Sequence, residues 1–336
     1  MRILVLGGSR FLGRHIVEEA LLRGHTVTTF NRGVSGSVPG VEEIHGDREQ
    51  AADLERLVDG RHWDIVVDTC GYVPRVVLAS AQALSGHATT YAFISTISAL
   101  DGFPNKPGTD ESGLWACEPD AGPEDGDYGV LKAGCERAVS IGFAGNALFI
   151  QPGLILGPYE NVARLPWWLT RISHGGQVLA PGSPSVPMQL IDARDIAAFT
   201  LDKSEAGVTD RFIVTGPPGN ATYGSWLEMC KEVTGSDASF VWVDDQFLLD
   251  REVGTFVELP LWAPPGPDMD NFWSASTERA FAAGLRSRPV LETVRDTWEW
   301  LREIPEESRV YGSSSRQHGI APEKEQAILE EWQKRS

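Results

Sequence analysis

The sequence predicts an α/β protein, a doubly wound parallel sheet joined to a smaller C-terminal α+β lobe. Three observations carry this. Short apolar runs alternate with helix-period segments at least five times before residue 152. The chain opens on a strand, a glycine turn and a helix, MRILVLGGSRFLG. Beyond PGLILGP (152–158) the alternation fades into Pro-rich and Trp-rich stretches, and most of the eleven tryptophans lie after residue 160.

The elements follow in order. RILVL (2–6) is the apolar run of a buried parallel strand. Residues 11–23 set Phe11, Leu12, Ile16, Val17, Ala20 and Leu21 at helical spacing, and Gly24 ends that helix. TVTTF (26–30) is a second strand and 41–46 a weaker third. A helix over 49–58 leads to the strand WDIVVD (63–68). A helix over 74–85, with Pro74 in its first turn, leads to TYAFIS (90–95). After a Pro/Gly-rich loop, a helix over 128–144 leads to ALFIQ (147–151). Right-handed crossovers wind such units on both faces of one sheet. LIDARDIAAFTL (190–201) reads as a strand end and helix that rejoin it, with Asp192 and Asp195 capping or bracing that helix. Residues 1–155 and 190–215 are therefore expected to form the sheet domain, and 156–189 with 216–311 a substrate lobe. Residues 312–336 read as a tail, a flexible link (GSSSRQHG) and a short outer helix over 322–334.

Bulk properties narrow the function. A net charge of −18 repels nucleic acid and acidic membranes. The four cysteines form no CxxC pair or zinc spacing, which fits a reduced, cytoplasmic setting. The chain begins on a strand rather than a signal peptide, and no apolar run nears the roughly 18 residues of a membrane span. The seven histidines lack HExxH spacing, so no metal is expected.

Gly7, Gly8 and Gly13 are the chemistry-bearing glycines. The first permits the turn, a second lets backbone approach a pyrophosphate, and the last packs the helix on the sheet. The helix N-terminus adds free N–H groups and a positive dipole end. Phe30-Asn31-Arg32 ends the second strand without the carboxylate that would bind a ribose 2′-hydroxyl. Arg32 can instead grip a 2′-phosphate, with Arg10 as its partner across the turn. NADP(H) is therefore expected over NAD. Asp47 can accept from the adenine amino group or cap a helix.

A second constellation lies at strand ends. TYAFISTIS presents Ser95, Thr96 and Ser98 at a carboxyl edge, and Tyr128 and Lys132 share one helical face at i, i+4. Lys132 can lower the phenol pKa and hold ribose hydroxyls, and a tuned phenol can move a proton.

Taken with GGSRFLGRH, FNRG, HGDR, YGVLK, PGLILGP and LIDARDIA, all in order, the chain resembles the extended short-chain dehydrogenases/reductases. These form the NAD-dependent epimerase/dehydratase family, here a reductase-like subgroup with a GG(T/S)RFLG start. The resemblance spans nearly the whole chain and implies a Rossmann fold. It implies Thr96 as the triad hydroxyl, with Ser95 the competing choice, Tyr128 as acid/base and Lys132 as its partner. It also implies dinucleotide contacts at Gly7, Ser9, Arg10, Phe11, Leu12, Gly13, Asn31, Arg32, Asp47, Arg48, Cys70, Ser95, Tyr128 and Lys132, and at Pro152, Gly153 and Leu154 beside the nicotinamide.

Departures from the family refine this. Ile97 and Ser98 replace the Asp-Glu pair of sugar dehydratases, and Ala99-Leu100-Asp101 replaces V-Y-G. Val186-Pro187-Met188-Gln189 lacks the arginine that grips a nucleotide-sugar diphosphate, leaving Arg164, Arg171 or Arg194 as substitutes. The expectation is an NADPH-dependent reductase of a ketone or imine in a small-molecule, for instance secondary-metabolite, substrate, acting as a monomer or homodimer. Trp115, Trp167, Trp168, Trp242, Trp262 and Trp273 are candidate walls for an apolar pocket, against the plainer alternative of core packing. The alternatives are an epimerase with tightly held NAD(P) and a non-catalytic, dinucleotide-sensing or RNA-associated relative.

Overall fold

The structure, a computed structural model, describes residues 1–266, 269–313 and 316–335. In the first half, strands and helices alternate as the sequence predicts. β1 (Arg2–Leu6) leads to α1 (Phe11–Leu22), β2 (Thr26–Asn31), β3 (Glu42–His45), α2 (Ala51–Val58), β4 (Trp63–Asp68) and α3 (Pro74–Leu84). β5 (Ala88–Ile94), α4 (Tyr128–Gly142), β6 (Asn146–Pro152) and β7 (Leu154–Leu156) follow. The second half continues with α5 (Arg164–Ser173), β8 (Gln177–Pro181), β9 (Pro187–Met188), β10 (Leu190–Asp192), α6 (Ala193–Glu205) and β11 (Asp210–Val214). Then come β12 (Ala221–Thr222), α7 (Tyr223–Thr234), β13 (Ser239–Val243), α8 (Asp245–Leu249), α9 (Glu278–Ala282), α10 (Val290–Arg302) and α11 (Pro322–Gln333).

The seven-stranded sheet runs β11-β6-β5-β4-β1-β2-β3, parallel throughout. The strand order reverses between β1 and β4, and ligands of doubly wound sheets bind at such a reversal. α1 and α6 cover one face through Ile16, Val17, Ala20, Ile196 and Ala197. α2, α3 and α4 cover the other through Leu57, Val77, Leu84, Ala138 and Val139. Both faces of β1 are therefore dry, which is why RILVL carries no polar alternation after Arg2.

α6 is anchored as the sequence suggests. The Asp192 carboxylate caps it at Arg194 N, 2.8 Å, and Asp195 accepts from Arg288 N and Nε at 2.9 and 2.8 Å. The second lobe has its own core, with Trp168, Trp226, Leu179 and Leu301 fully or almost fully buried. α11 belongs to that core through Ile328 and Leu329, and its Glu325 pairs with Arg171 at 2.7 Å. Within the stretch expected to be a flexible link, Gly312–Ser313 pairs antiparallel with Arg316–Gln317; 314 and 315 lie outside the described residues. Among the described residues no helix is long and apolar enough to cross a membrane, and no group of His, Cys, Asp and Glu could hold a metal ion.

Candidate active site

A cavity of about 790 Å³ opens at the strand-order reversal. Its rim is built first from the glycine turn. Gly7 and Gly8 adopt φ of +98° and +90°, values that side chains resist. A Cβ on Gly7 would stand 2.6 Å from Thr69 Oγ1, and one on Gly13 3.0 Å from the Gly8 nitrogen. Gly7 N donates to Phe30 O at 2.9 Å, which ties the turn to the end of β2. Asn31 is part of that tie: its Oδ1 accepts from Gly33 N at 2.7 Å and its Nδ2 donates to Gly7 O at 3.5 Å.

Arg10 and Arg32 both line the cavity, both are exposed, and neither makes a side-chain hydrogen bond or ion pair among the described residues. Arg10 holds the N-cap position of α1 without a side-chain cap, and Ser9, Phe11 and Leu12 line the same rim. Asp47 also lines the cavity, but α2 starts after Gln50; the Asp47 carboxylate accepts from Glu49 N at 3.0 Å, so it shapes the turn before the helix instead of capping it.

Arg48 is placed differently from the expectation. Its guanidinium donates to both Asp68 oxygens at 2.8 and 2.7 Å, to Ser80 Oγ at 3.1 Å and to Cys70 Sγ at 3.4 Å. Burial alone would raise the Asp68 carboxyl; the Arg48 charge outweighs it and holds the group below its ordinary range. Tyr91 Oη completes the cluster with a 2.8 Å bond to Asp68. Burial pushes the Cys70 thiol up. Both side chains border the cavity, but Arg48 is spent on a buried pair beneath its floor.

At the centre stand Thr96, Tyr128 and Lys132. The Asp127 carboxylate caps α4 at Val130 N, 3.0 Å, so the helix begins at Tyr128 itself. Tyr128 and Thr96 line the same cavity, and the Thr96 hydroxyl eases ionisation of the phenol. Ser95 is not in this pair: its Oγ donates to Glu136 Oε1 at 2.5 Å, within a buried cluster with Gln151 and Arg211. Lys132 is buried, and its Nζ donates to Gly71 O at 2.8 Å and Ile94 O at 2.6 Å. Burial lowers this ammonium to about 8.

The phenol differs from the expectation. Tyr128 is 53% exposed, yet the cleft walls strip enough water to raise its pKa, against the nearby Thr96 hydroxyl and the Arg164 charge. Lys132 does not lower it here, because the ammonium is turned to two backbone carbonyls.

Further out, Gly153 and Leu154 line the cavity, and Pro152 ends β6. A Cβ on Gly153 would lie 2.5 Å from Thr215 Oγ1, a buried hydroxyl oxygen with no hydrogen-bond partner among the described residues. Sequence reasoning missed Thr69, Tyr72, Gln189, Thr215, Phe103 and Phe272 on this cavity. Tyr72, one residue past the Cys70-Gly71 strand exit, lies over the Lys132 ammonium with Nζ 5.4 Å from its ring centre, and its phenol is pushed to about 12 by burial.

Of the six candidate tryptophans, one lines the cavity, and packing, the plainer alternative, accounts for the others. Trp273 lines the cavity. Trp167, Trp168 and Trp262 are buried in the lobe core, where Trp168 Nε1 donates to Pro260 O at 2.6 Å and Trp262 Nε1 to Asp245 Oδ1 at 2.7 Å. Trp242 packs on Tyr223, and Trp115 donates to Ser98 O at 3.1 Å behind the triad. Of the three candidate arginines only Arg164 reaches the cleft; Arg171 pairs with Glu325, and Arg194 with Asp192 and Asp296.

Comparison with known proteins shows what the chain is similar to. Residues 3–91 match the model of the NAD dependent epimerase/dehydratase family. An isoflavone reductase homolog of Zea mays is 23% identical over 274 residues, covering 74% of this chain and 80% of that protein. A chloroplast stem-loop binding protein of 41 kDa of Arabidopsis thaliana is 23% identical over 255 residues, covering 70% of this chain and 63% of its own. The UDP-glucose 4-epimerase of Thermotoga maritima superposes with a TM-score of 0.70 at 18% identity, over 90% of this chain and 99% of that one. The Bordetella bronchiseptica enzyme WbmH, solved with NAD+, gives 0.69 at 16% identity over 90% and 98%. These structural likenesses carry the fold.

Proposed function

We propose, for a chain whose residues 3–91 match the NAD dependent epimerase/dehydratase family, an NADP(H)-dependent oxidoreductase that reduces a carbonyl or imine in a small molecule. The observation that carries the reading is that Thr96, Tyr128 and Lys132 line the same cavity as the turn whose Gly7, Gly8 and Gly13 leave no room for a side chain.

The residues fit a dinucleotide. The turn offers backbone N–H groups where no Cβ could stand, Arg10 and Arg32 are free guanidiniums beside it, and Thr215 has an unpartnered oxygen. Gly7 to Gly13 would hold the pyrophosphate and the two arginines the 2′-phosphate. Lys132 has two of its three donors fixed and one left for a ribose hydroxyl. NADPH, when bound, supplies a hydride.

Tyr128 then gives its proton to the substrate oxygen or nitrogen. A raised phenol pKa keeps that proton in place until substrate arrives. The Thr96 hydroxyl donates to the phenolate left behind. Lys132, held by Gly71 O and Ile94 O, would act on the dinucleotide and orient its ribose beside Tyr128.

Tyr128→Phe tests this. Turnover should vanish with dinucleotide affinity retained; unchanged turnover would refute the assignment. An epimerase is the second reading, supported by the superposition on UDP-glucose 4-epimerase over 90% of the chain. Turnover without added cofactor would favour it.

A further inference from the structure

The reacting end of the cleft is closed by a strap from the second lobe. Asn271 donates through N and Nδ2 to Pro104 O and Asn105 O at 3.2 and 2.9 Å, and Ser276 N donates to Gly108 O at 2.7 Å. Behind the strap, Gln189 is 3% exposed and fully used. Its Nε2 donates to Gly216 O and Ala275 O at 2.9 and 2.8 Å, and its Oε1 accepts from Ala275 N at 3.0 Å. These bonds fix Phe272 and Trp273 on the cavity that holds Tyr128. The Phe272 ring is held by aromatic neighbours, with Trp273 at 4.8 Å, Phe256 at 5.0 Å and Phe103 at 6.4 Å between centres.

The charge at this end points the same way. Arg164 is the cation whose field reaches the Tyr128 phenol. Its Nε is already bonded to buried Glu160 at 2.8 Å, and its Nη2 to Ile155 O at 2.9 Å. Arg10 and Arg32 stand at the glycine turn, and Arg48 is consumed by Asp68. A diphosphate brought against the strap would lose its water and find no surplus positive charge among the described residues.

We infer that the substrate is a flat aromatic or conjugated carbonyl compound without a diphosphate, laid against Phe272 and Trp273 with its carbonyl at Tyr128. The inference rests on the oxidoreductase reading of this cleft and adds the substrate class. Gln189 acts as a positioning residue for the wall.

The test is calorimetric titration of the full chain, with and without NADP+, using 2-acetylnaphthalene, its saturated analogue 2-acetyldecalin, and UDP-glucose. The naphthyl ketone should bind about three- to tenfold tighter than the decalin, as edge and face aromatic contacts allow, and UDP-glucose should bind more weakly than either. Trp273→Leu and Phe272→Leu, each confirmed folded by circular dichroism, should each reduce that preference. Equal binding of the two ketones, tighter binding of UDP-glucose, no ketone binding, or a preference that survives both variants would overturn the inference. If NADP+ itself does not bind while the ketone preference holds, the oxidoreductase reading fails and the aromatic subsite stands.

Discussion

Replacing Gly129 with alanine drives a methyl group into the backbone two residues past Thr96. An ideal Cβ there would lie 2.3 Å from Ser98 O and 3.1 Å from Ser98 C. Ordinary contact begins near 3.4 Å, so about 1 Å of separation must be found. Both partners of the collision belong to the site. Gly129 follows Tyr128 in α4, and Ser98 N is bonded to Thr96 Oγ1 at 3.2 Å. Ser98 cannot retreat freely, because the Trp115 indole donates to the same carbonyl from behind. The shift therefore falls on the Thr96–Tyr128 pair. Overpacking of this kind costs about 1–3 kcal/mol, or roughly 1–4 °C of Tm for a chain this long. A misplacement of about 1 Å costs on the order of 10²-fold in turnover. The assay is steady-state NADPH oxidation with 2-acetylnaphthalene, beside a calorimetric Kd for NADPH. The account expects kcat to fall about 10²-fold with little change in NADPH affinity, since the glycine turn is untouched. A kcat and Tm equal to those of the unaltered protein would refute the reasoning.

Other substitutions separate the remaining roles. Arg10→Gly with Arg32→Asp should move dinucleotide preference from NADPH toward NADH by about tenfold or more, read by titration with both; equal NADH and NADPH affinity in the unaltered protein would contradict the clasp. Thr96→Val should remove turnover, whereas Ser95→Ala should keep it and lose about 1–3 kcal/mol of stability in urea unfolding, because buried Glu136 then lacks a donor. Lys132 sets a pH dependence. Its folded pKa of about 8 lies below the ordinary 10.5, so the unfolded chain holds the extra proton between these values. Stability from this group is full above 10.5 and is lost as pH falls through 8, a change of roughly 3 kcal/mol. The difference between the unaltered protein and Lys132→Met, followed by urea unfolding across that range, should show it; a flat difference would count against a charged, buried Lys132.

Local pattern made the first half legible. RILVL, TVTTF and WDIVVD are buried strands because helices cover both faces of the sheet, and such strands announce themselves as apolar runs. Tyr128 and Lys132 were readable from one helical spacing, and Gly7 and Gly13 from the turn they require. What escaped depends on contacts between distant segments. Arg48 was read toward a ligand because its partner Asp68 lies 20 residues away, at the end of another strand. Phe272 is brought to the cavity by hydrogen bonds from its strap to the loop at 104–108 and to Gln189, which no local period encodes. The tryptophans misled for a related reason: composition cannot tell an indole in a lobe core, such as Trp168, from one on a wall, such as Trp273. Ser95 differs from Thr96 in a way no local pattern encodes: its hydroxyl is bonded to Glu136, one helical turn past Lys132.

The central claim is that the turn at Gly7 is a dinucleotide cradle beside a proton-transfer pair. Calorimetric titration of NADPH into the unaltered protein and into Gly7→Val tests it most directly, because a side chain at φ +98° would collide with Thr69 Oγ1 at 2.6 Å. The account predicts saturable one-to-one binding that the substitution abolishes. No saturable binding of NADPH or NADH, or undiminished binding by Gly7→Val, would contradict it.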